Sequence, residues 1–524
     1  MLSKCFSSIL EYIDHWADET PGSPAWCNVT WNTTSSIHCE LPFAATTWHQ
    51  FRLQLLKAIE SLYSLDLPPQ SRVVTCDRNS IEWVMLDLAC QATDCVHVPI
   101  DTLLSDSAKR DICIRLNPSL FVLLQNLNAF SFLESAETLL ITRLDLKVEP
   151  FELTCEERSI ASVSRTNPES VATILFTSGT TSTPKGVQLS HRNLLSNAMQ
   201  KLDAMPQHAS DRRLNLLPFS HAYARTCELS TWLLSGSSLM TVRNIDHFIE
   251  IAPIFQPTLI NGVPYIFEKI RQRILSMESQ AAERVSLCKL IGTNIRMLAA
   301  GGAGLDTATY EWFAECGYPI YQGYGLTEAG PVVCSNRFPN PSGGHVGFPV
   351  CESIVRIDED QRMYTKGPGV MVGYFGDVQA SRNKISNGWL DTGDLAEWTA
   401  EGAIRIIGRS DDRIILTNGY KVDPGPLEHK IAIALKIRYC SVVSPDLCRV
   451  VVILPVSTSL LVSPSNASIL QDRVREALSD EPNYVVSMEA LIVEDDWTYE
   501  LGMLNSKGSI QRSQVVKRYF GGSK

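Results

Sequence analysis

Apolar and polar positions follow two periods along this chain. Residues Val171 to Thr177 form a β-branched, apolar run of the kind that becomes a buried strand, while Leu194, Leu195, Ala198, Met199 and Leu202 recur at the spacing of a helix face. The stretch SRVVTCDRNSIEWVMLDLACQATDCVHVPID (71–101) reads strand, helix, strand, and the same alternation returns over 171–200 and 256–300. It predicts an α/β fold of layers with parallel strands. From about residue 345 the pattern changes. GHVGFPV, SIVRID, RMYTKGPGVMVGYF and GAIRIIGRSDDRIILTNGYKV are short strand-like runs with glycine turns, a β-rich subdomain that closes the large domain. Residues 412–524 carry the helix and strand patterns GPLEHKIAIAL, RVVVILPV and ILQDRVREAL, which suit a small α+β domain. The polar GRSDD at 408–412, between two isoleucine-rich runs, marks the expected boundary: a large domain over 1–410 and a small one over 411–524.

Length agrees with two or more domains, since 524 residues exceed one ordinary core. A hydrophobic content of 44% with 20% charged residues is that of a soluble globular protein. The balance of 46 basic against 57 acidic residues, a net charge of −11, offers no global attraction to nucleic acid or to an anionic membrane. Fifteen cysteines, an odd number without any CxxC, argue against a disulfide framework and a zinc site, and reduced thiols in a cytosol are the simpler reading. The start MLSKCFSSILEYIDHWADETP turns acidic and polar too soon for a signal peptide, and no apolar stretch approaches the roughly 18 residues of a membrane span. The expected location is the cytoplasm.

The densest chemistry lies in ATILFTSGTTSTPKGVQLSH (172–191), where small hydroxyl residues and glycine precede Lys185. Backbone N–H groups and hydroxyls donate, and the lysine adds positive charge, so the loop is composed as a cradle for phosphate oxygens. Its flanks predict strand, loop and helix, a scaffold in which a helix N-terminus faces the anion together with the loop. It is not the P-loop of nucleotide triphosphatases, because Lys185 is followed by Gly186 and Val187 where that motif needs Ser or Thr. A mobile Ser/Thr linker has the same composition.

Four further motifs follow in order: YQGYGLTEAGP (321–331), GWLDTGDLA (388–396), GRSDDRIILTNGYKVDPGPLE (408–428) and NSKGSIQR (505–512). Together with LDLACQATDCVHVPID, LPFSHAYAR (217–225), PTLINGVPYIFEKI (257–270) and AAGGAGLD (299–306), they resemble the adenylate-forming superfamily of acyl- and aryl-CoA synthetases, peptide-synthetase adenylation domains and luciferases. The resemblance runs from about residue 10 to the C-terminus. It implies a carboxylate joined to ATP as acyl-AMP with release of pyrophosphate, followed by transfer to a thiol.

Carried over by position, it implies that Thr177, Ser178, Gly179, Thr180, Thr181 and Lys185 hold the β- and γ-phosphates and that Thr327 contacts the α-phosphate. Glu328 would hold Mg²⁺, an ion that favours oxygen ligands and keeps waters. Tyr324 would lie against adenine, with Gly302 and Ala303 beside it, and Asp394, supported by Arg409, would accept from both ribose hydroxyls. By themselves, Thr-Gly-Asp reads as a turn and Thr-Glu as a helix start. Asp411 matches the hinge about which the small domain swings, which makes that domain mobile, and Gly419 matches the lining of the pantetheine path. The acceptor thiol would belong to CoA or to the phosphopantetheine of a separate acyl or peptidyl carrier protein, since no carrier domain follows Lys524.

Three departures matter. Ser182 stands where the family's loop usually has glycine, which stiffens the loop. The family commonly ends SGKxxR; aligned on Arg512, Ser509 takes the place of the lysine and Lys507 lies two residues earlier, about 7 Å along an extended segment. The catalytic lysine is therefore assigned to Lys507. Phe219-Ser220-His221 replaces the Phe-Asp whose carboxylate pairs an amino-acid ammonium, which disfavours α-amino acids. LPFSHAYAR and RIILTNGYKVDP look more like medium- and long-chain acyl-CoA synthetases. His221 would then border the acyl carboxylate and gate the second step; a satisfied core histidine is the alternative. Ala300, Gly301, Gly302 and Ala303 would leave room for an acyl or aryl chain. The expected function is ATP-dependent activation of an apolar, fatty-type carboxylic acid and its transfer to a thiol. An aryl-acid ligase, and a non-ligating acyl-AMP or nucleotide sensor with a crippled C-terminal motif, stay open as alternatives.

Overall fold

The computed structural model describes residues 5–29, 43–124, 141–143, 158–177, 184–276, 283–418, 420–437, 439–455, 467–482, 485, 488–495, 497–498, 501–504 and 510–521. The chain forms two compact units, Met1–Val355 with Thr365–Leu390, and Arg356–Tyr364 with Asp391–Lys524.

In the first unit, the predicted strand, helix and strand of 71–101 become Arg72–Thr75, Ile81–Ala92 and Val96–Pro99, with the two strands paired in parallel. They belong to a seven-stranded sheet ordered 373–374, 185–190, 171–177, 96–99, 72–75, 120–123, 141–143. Its central strands 72–75 and 96–99 are buried on both faces, and Val73, Val74, Val96, Val98 and Phe121 lie in the core. A nine-stranded sheet contains the second predicted set, Leu259–Gly262 and Met297–Ala300, also parallel, and continues into Ile320–Gly325 and the antiparallel Val332–Ser335. In that unit Trp26, Trp48, Phe51 and Trp232 pack ring against ring, with centroids 5.4–5.9 Å apart.

One expectation is corrected here. The loop after Val171–Thr177 does not run into a helix; it returns as the strand Lys185–Ser190, antiparallel to the first, and the helix His191–Ala204 starts only beyond it. Val187 and Leu189 alternate into the core as a strand requires, and at Gly186 a Cβ would stand 2.9 Å from Ile174 Cγ2. Ser190 closes a capping box with Asn193, so this helix satisfies its own first N–H groups one strand-length away from the loop. The helix N-terminus therefore does not directly follow the loop in the chain.

The second unit pairs residues 394–398 antiparallel with 404–409 and builds a three-stranded sheet from Ser441–Val443, Val451–Pro455 and Glu489–Val493. The helix Pro424–Leu435 packs Leu427, Ile431 and Leu435 on one face of that sheet with Leu470 and Val474; Val515 and Trp497 cover the other. Every cysteine among the described residues is a free thiol, and no helix among them is long and apolar enough to cross a membrane.

Candidate active site

Two sequence-distant motifs meet in the first unit. Lys185 opens the return strand of the hairpin and is exposed; Glu328 lies in the 3-10 turn Thr327–Ala329 that ends Ile320–Gly325. The segment Met371–Phe375 stitches them together. Met371 N donates to Glu328 O at 2.9 Å, Val372 N to Gln188 O at 3.0 Å and Phe375 N to Gly186 O at 2.7 Å. Between them, the Tyr374 hydroxyl donates to Glu328 Oε1 at 2.8 Å, and its ring lies 5.0 Å from Lys185 Nζ. Arg115 adds a second cation at the loop's end, donating to Pro184 O at 2.8 Å. Thr177 is half-buried, its hydroxyl 3.5 Å from Lys185 O. Ser178, Gly179, Thr180, Thr181 and Ser182 lie outside the described residues.

The Thr327 turn is held by packing without slack. Asn197 donates to Val332 O at 2.8 Å and accepts from Val332 N at 2.9 Å, and Thr226 Oγ1 donates to Gly330 O at 2.8 Å. Gly325 is obligatory, because a Cβ there would stand 1.8 Å from Pro331 O. Tyr324 precedes it on the strand, half-buried. Gly302 (φ +80°) is exposed, and a Cβ would meet only Val263 Cγ1 at 3.7 Å, so this glycine borders open space; Ala303 is half-buried. Gly301 differs. Its missing Cβ is matched by the Tyr223 ring at 2.8 Å, so part of the room expected at the small-residue run is filled by the protein itself.

His221 sits at the N-cap of Ala222–Ala224, followed by a π-helical turn, Arg225–Ser230. Buried charges clamp that turn on both sides: Arg225 to Asp87 at 2.7 Å, and Glu228 to Arg213 at 3.3 Å and Asn261 at 2.8 Å. Burial pushes the Asp87 carboxyl up, but Arg225 and His97 outweigh it and hold it below the usual range. His221 itself is no sealed core histidine. It is 40% exposed, with Nε2 3.0 Å from Asp101 Oδ2 at the end of Val96–Pro99. Burial raises the Asp101 carboxyl, and the His221 and Leu103 N–H hydrogen bonds more than reverse that, leaving it below its ordinary value.

In the second unit, Asp394 is buried and accepts from Arg409 Nη1 at 2.9 Å, directly across the strand pair. Thr392 Oγ1 accepts from Asp394 N at 3.1 Å and donates to Met363 O at 2.7 Å, fixing the carboxylate's backbone. Thr-Gly-Asp therefore lies within a strand, with Gly393 at φ +77°. Asp411 lies exposed in the 3-10 turn Ser410–Asp412, 3.8 Å from Arg409 Nη2. Gly419 and Lys507 lie outside the described residues. Arg512, the last residue of the C-terminal motif, is committed to Glu428 and Asp412, which ties the helix Arg512–Phe520 to that turn. Burial raises the Glu428 carboxyl against the pull of Arg512.

Among the described residues no three His, Cys, Asp or Glu side chains converge as a metal cage. A single carboxylate, Glu328, linked through Tyr374 to the exposed Lys185 is nonetheless the donor set of an ion that takes most of its ligands from phosphates and water, as Mg²⁺ does. The residues fit that ion.

Residues 13–375 match the model of the AMP-binding enzyme family, and 411–521 match its C-terminal domain. The chain belongs to the AMP-binding enzyme family. It is similar to the long-chain-fatty-acid–CoA ligase FadD15 of Mycobacterium bovis, 29% identical over 438 residues that cover 72% of each chain. Human long-chain-fatty-acid–CoA ligase 1 is 25% identical over 422 residues, 67% of this chain and 60% of that one. The fold is shared with ATP-bound MatB from Rhodopseudomonas palustris, at a TM-score of 0.77 and 19% identity over 98% of this chain and 99% of that one. It is shared also with MenE of Bacillus subtilis in complex with OSB-AMP, at 0.75 and 19% over 96% and 97%. The fold is thus that of adenylate-forming ligases, a large α/β N-terminal domain and a smaller C-terminal one.

Sequence reasoning on this AMP-binding enzyme missed Tyr374, Arg115 and Asp101. Each acts on a residue far away in the chain, and no local pattern marks it; RMYTKGPGVMVGYF reads only as a strand-like run with glycine turns.

Proposed function

We propose that the chain is an acid–thiol ligase that activates an apolar, fatty-type carboxylic acid with ATP, forming acyl-adenylate and pyrophosphate, and then transfers the acyl group to CoA. The observation that carries this is the assembly of Lys185 and Glu328 around Tyr374: a phosphate-type cation and a metal-type carboxylate, drawn from separate motifs into one rigid corner. ATP supplies the leaving group, and Mg²⁺ on Glu328 would supply charge neutralisation at its phosphates. The chain's own part is orientation. The hairpin loop and Lys185 hold the terminal phosphates, Thr327 the α-phosphate, Asp394 with Arg409 the ribose, and Tyr324 with Gly302 and Ala303 the adenine. Preorganised donors of this kind are worth roughly 10²–10³ in rate each. The small domain, beginning at Asp411 where the second family match also begins, swings to bring Gly419 toward the thiol path while Lys507 withdraws. His221, steadied by Asp101, borders the acyl carboxylate.

The fatty-acid reading rests on the names of the similar ligases and on the absence of an aspartate at Ser220. A phosphopantetheine carrier remains the second acceptor to test, and cytoplasmic location is the corresponding expectation. ATP–pyrophosphate exchange across C4 to C18 and aryl acids tests the substrate. Apparent affinity should rise by about 0.8 kcal/mol for each CH₂ the pocket buries, until it is full. A flat response, or preference for an amino acid or an aryl acid, refutes the fatty-acid assignment.

A further inference from the structure

We propose that Tyr374 is a positioning residue that couples the metal-side carboxylate to the phosphate-side lysine, through its hydroxyl on one side and its ring on the other. This rests on the ligase reading above. Tyr374 is 6% exposed and lies on the two-residue strand Gly373–Tyr374, opposite Val187 in the register with Lys185–Ser190. Its backbone cannot drift, because the hydrogen bonds at Met371, Val372 and Phe375 anchor it to the Glu328 turn and to the loop's return strand together. Tyr374 N is held as well, donating to Ser381 Oγ at 2.8 Å.

The two contacts do different things. The hydroxyl donates to Glu328 Oε1, which fixes the carboxylate's rotation and leaves Oε2 as the oxygen to present to a cation. The ring face lies under Lys185 Nζ at 5.0 Å, within cation–π range, and holds a long, exposed side chain near the loop. Tyr374 stands between Glu328 and Lys185, with its hydroxyl on the carboxylate and its ring on the ammonium. With an aromatic spacer between them, neither neutralises the other, and both stay available to an anion–cation pair such as a metal-bound triphosphate.

Two substitutions separate the contacts. Tyr374→Phe keeps the ring and removes the hydroxyl; Tyr374→Leu removes both. Calorimetric titration of ATP into the full-length protein, at Mg²⁺ concentrations from micromolar to millimolar and also in excess chelator, reads binding without turnover. For Tyr374→Phe, the Mg²⁺ concentration giving half-maximal enhancement of ATP binding should rise roughly 10- to 100-fold, on the scale of one hydrogen bond to a charged group, while metal-free ATP affinity stays at the wild-type value. Tyr374→Leu should show the same metal defect and, in addition, a roughly 2- to 5-fold loss of metal-free ATP affinity, the scale of one cation–π contact. If Tyr374→Phe matches wild type at every Mg²⁺ concentration, or if both variants lose metal-free affinity equally, the coupling role is overturned while the ligase reading stands. If wild type itself shows no Mg²⁺-enhanced ATP binding, both are overturned.

Discussion

Gly325→Ala is the sharpest structural perturbation of the site, because the obstacle is backbone. The new Cβ would stand 1.8 Å from Pro331 O and 2.7 Å from Pro331 C. Carbon and oxygen without a bond approach to about 3.3 Å, so the strand and the Gly330–Pro331 segment must separate by about 1.5 Å. That movement breaks the Leu326 N to Pro331 O hydrogen bond at 3.0 Å and acts between Tyr324 and Thr327, where the register already shifts. Overpacking costs about 1–3 kcal/mol in stability, and an obstacle that cannot rotate away puts this case at about 3. A misplacement of about 1 Å costs roughly 10²-fold in rate, so ATP–pyrophosphate exchange should fall by at least that factor. Gly304→Ala is the internal control, since nothing lies within 4 Å of its Cβ position. Exchange and urea denaturation measured on both variants decide the matter. A Gly325→Ala protein with wild-type exchange, or a Gly304→Ala protein equally impaired, refutes the reasoning.

Asp394→Ala should abolish adenylate formation with the second unit still folded by circular dichroism, because it removes the carboxylate proposed to accept from the ribose; near-wild-type exchange at saturating ATP would contradict it. Lys507→Ala should slow acyl-AMP formation by roughly 10²-fold or more and leave thioester formation from supplied acyl-AMP nearly unchanged; equal effects on both half-reactions, measured in single turnover, would remove Lys507 from its role. His191 gives a pH prediction: burial pushes its imidazole down to about 4, so the folded protein keeps it neutral while the unfolded chain takes up a proton below about 6.5. Its contribution is fully present above that pH and is lost as pH falls, by roughly 2 kcal/mol at pH 5. Urea midpoints at pH 7.5 and 5.0 should diverge less in His191→Gln than in wild type, and an unchanged divergence would contradict the assignment.

What the sequence made legible is what short-range periodicity encodes. Val171–Thr177, the helix face at Leu194, Leu195, Ala198 and Leu202, and the parallel pairs around 71–101 and 256–300 all follow from residues within one element. The strand Lys185–Ser190 was hidden because only Val187 and Leu189 carry its alternation, and the Pro-Lys-Gly before them reads as turn chemistry. The resemblance brought Lys185, Glu328, Asp394 and Arg409 forward by motif, and pairing across strands then puts Arg409 on Asp394. Tyr374 beside Glu328, Asp101 beside His221, and Asp87 beside Arg225 depend on how separate elements pack, which no one-dimensional pattern holds. Gly301 shows the opposite failure: a small residue read as space for substrate is small because Tyr223 stands there.

The central claim is that one chain performs two half-reactions on an apolar acid. A single-turnover experiment with α-labelled ATP, Mg²⁺ and a long-chain fatty acid, followed by CoA, measures both directly. The account predicts stoichiometric labelled acyl-AMP with pyrophosphate before CoA is added, and its conversion to acyl-CoA and free AMP afterwards. Labelled ATP recovered intact with every acid, or acyl-AMP that forms and never yields to CoA or to a pantetheine-bearing carrier, would contradict it.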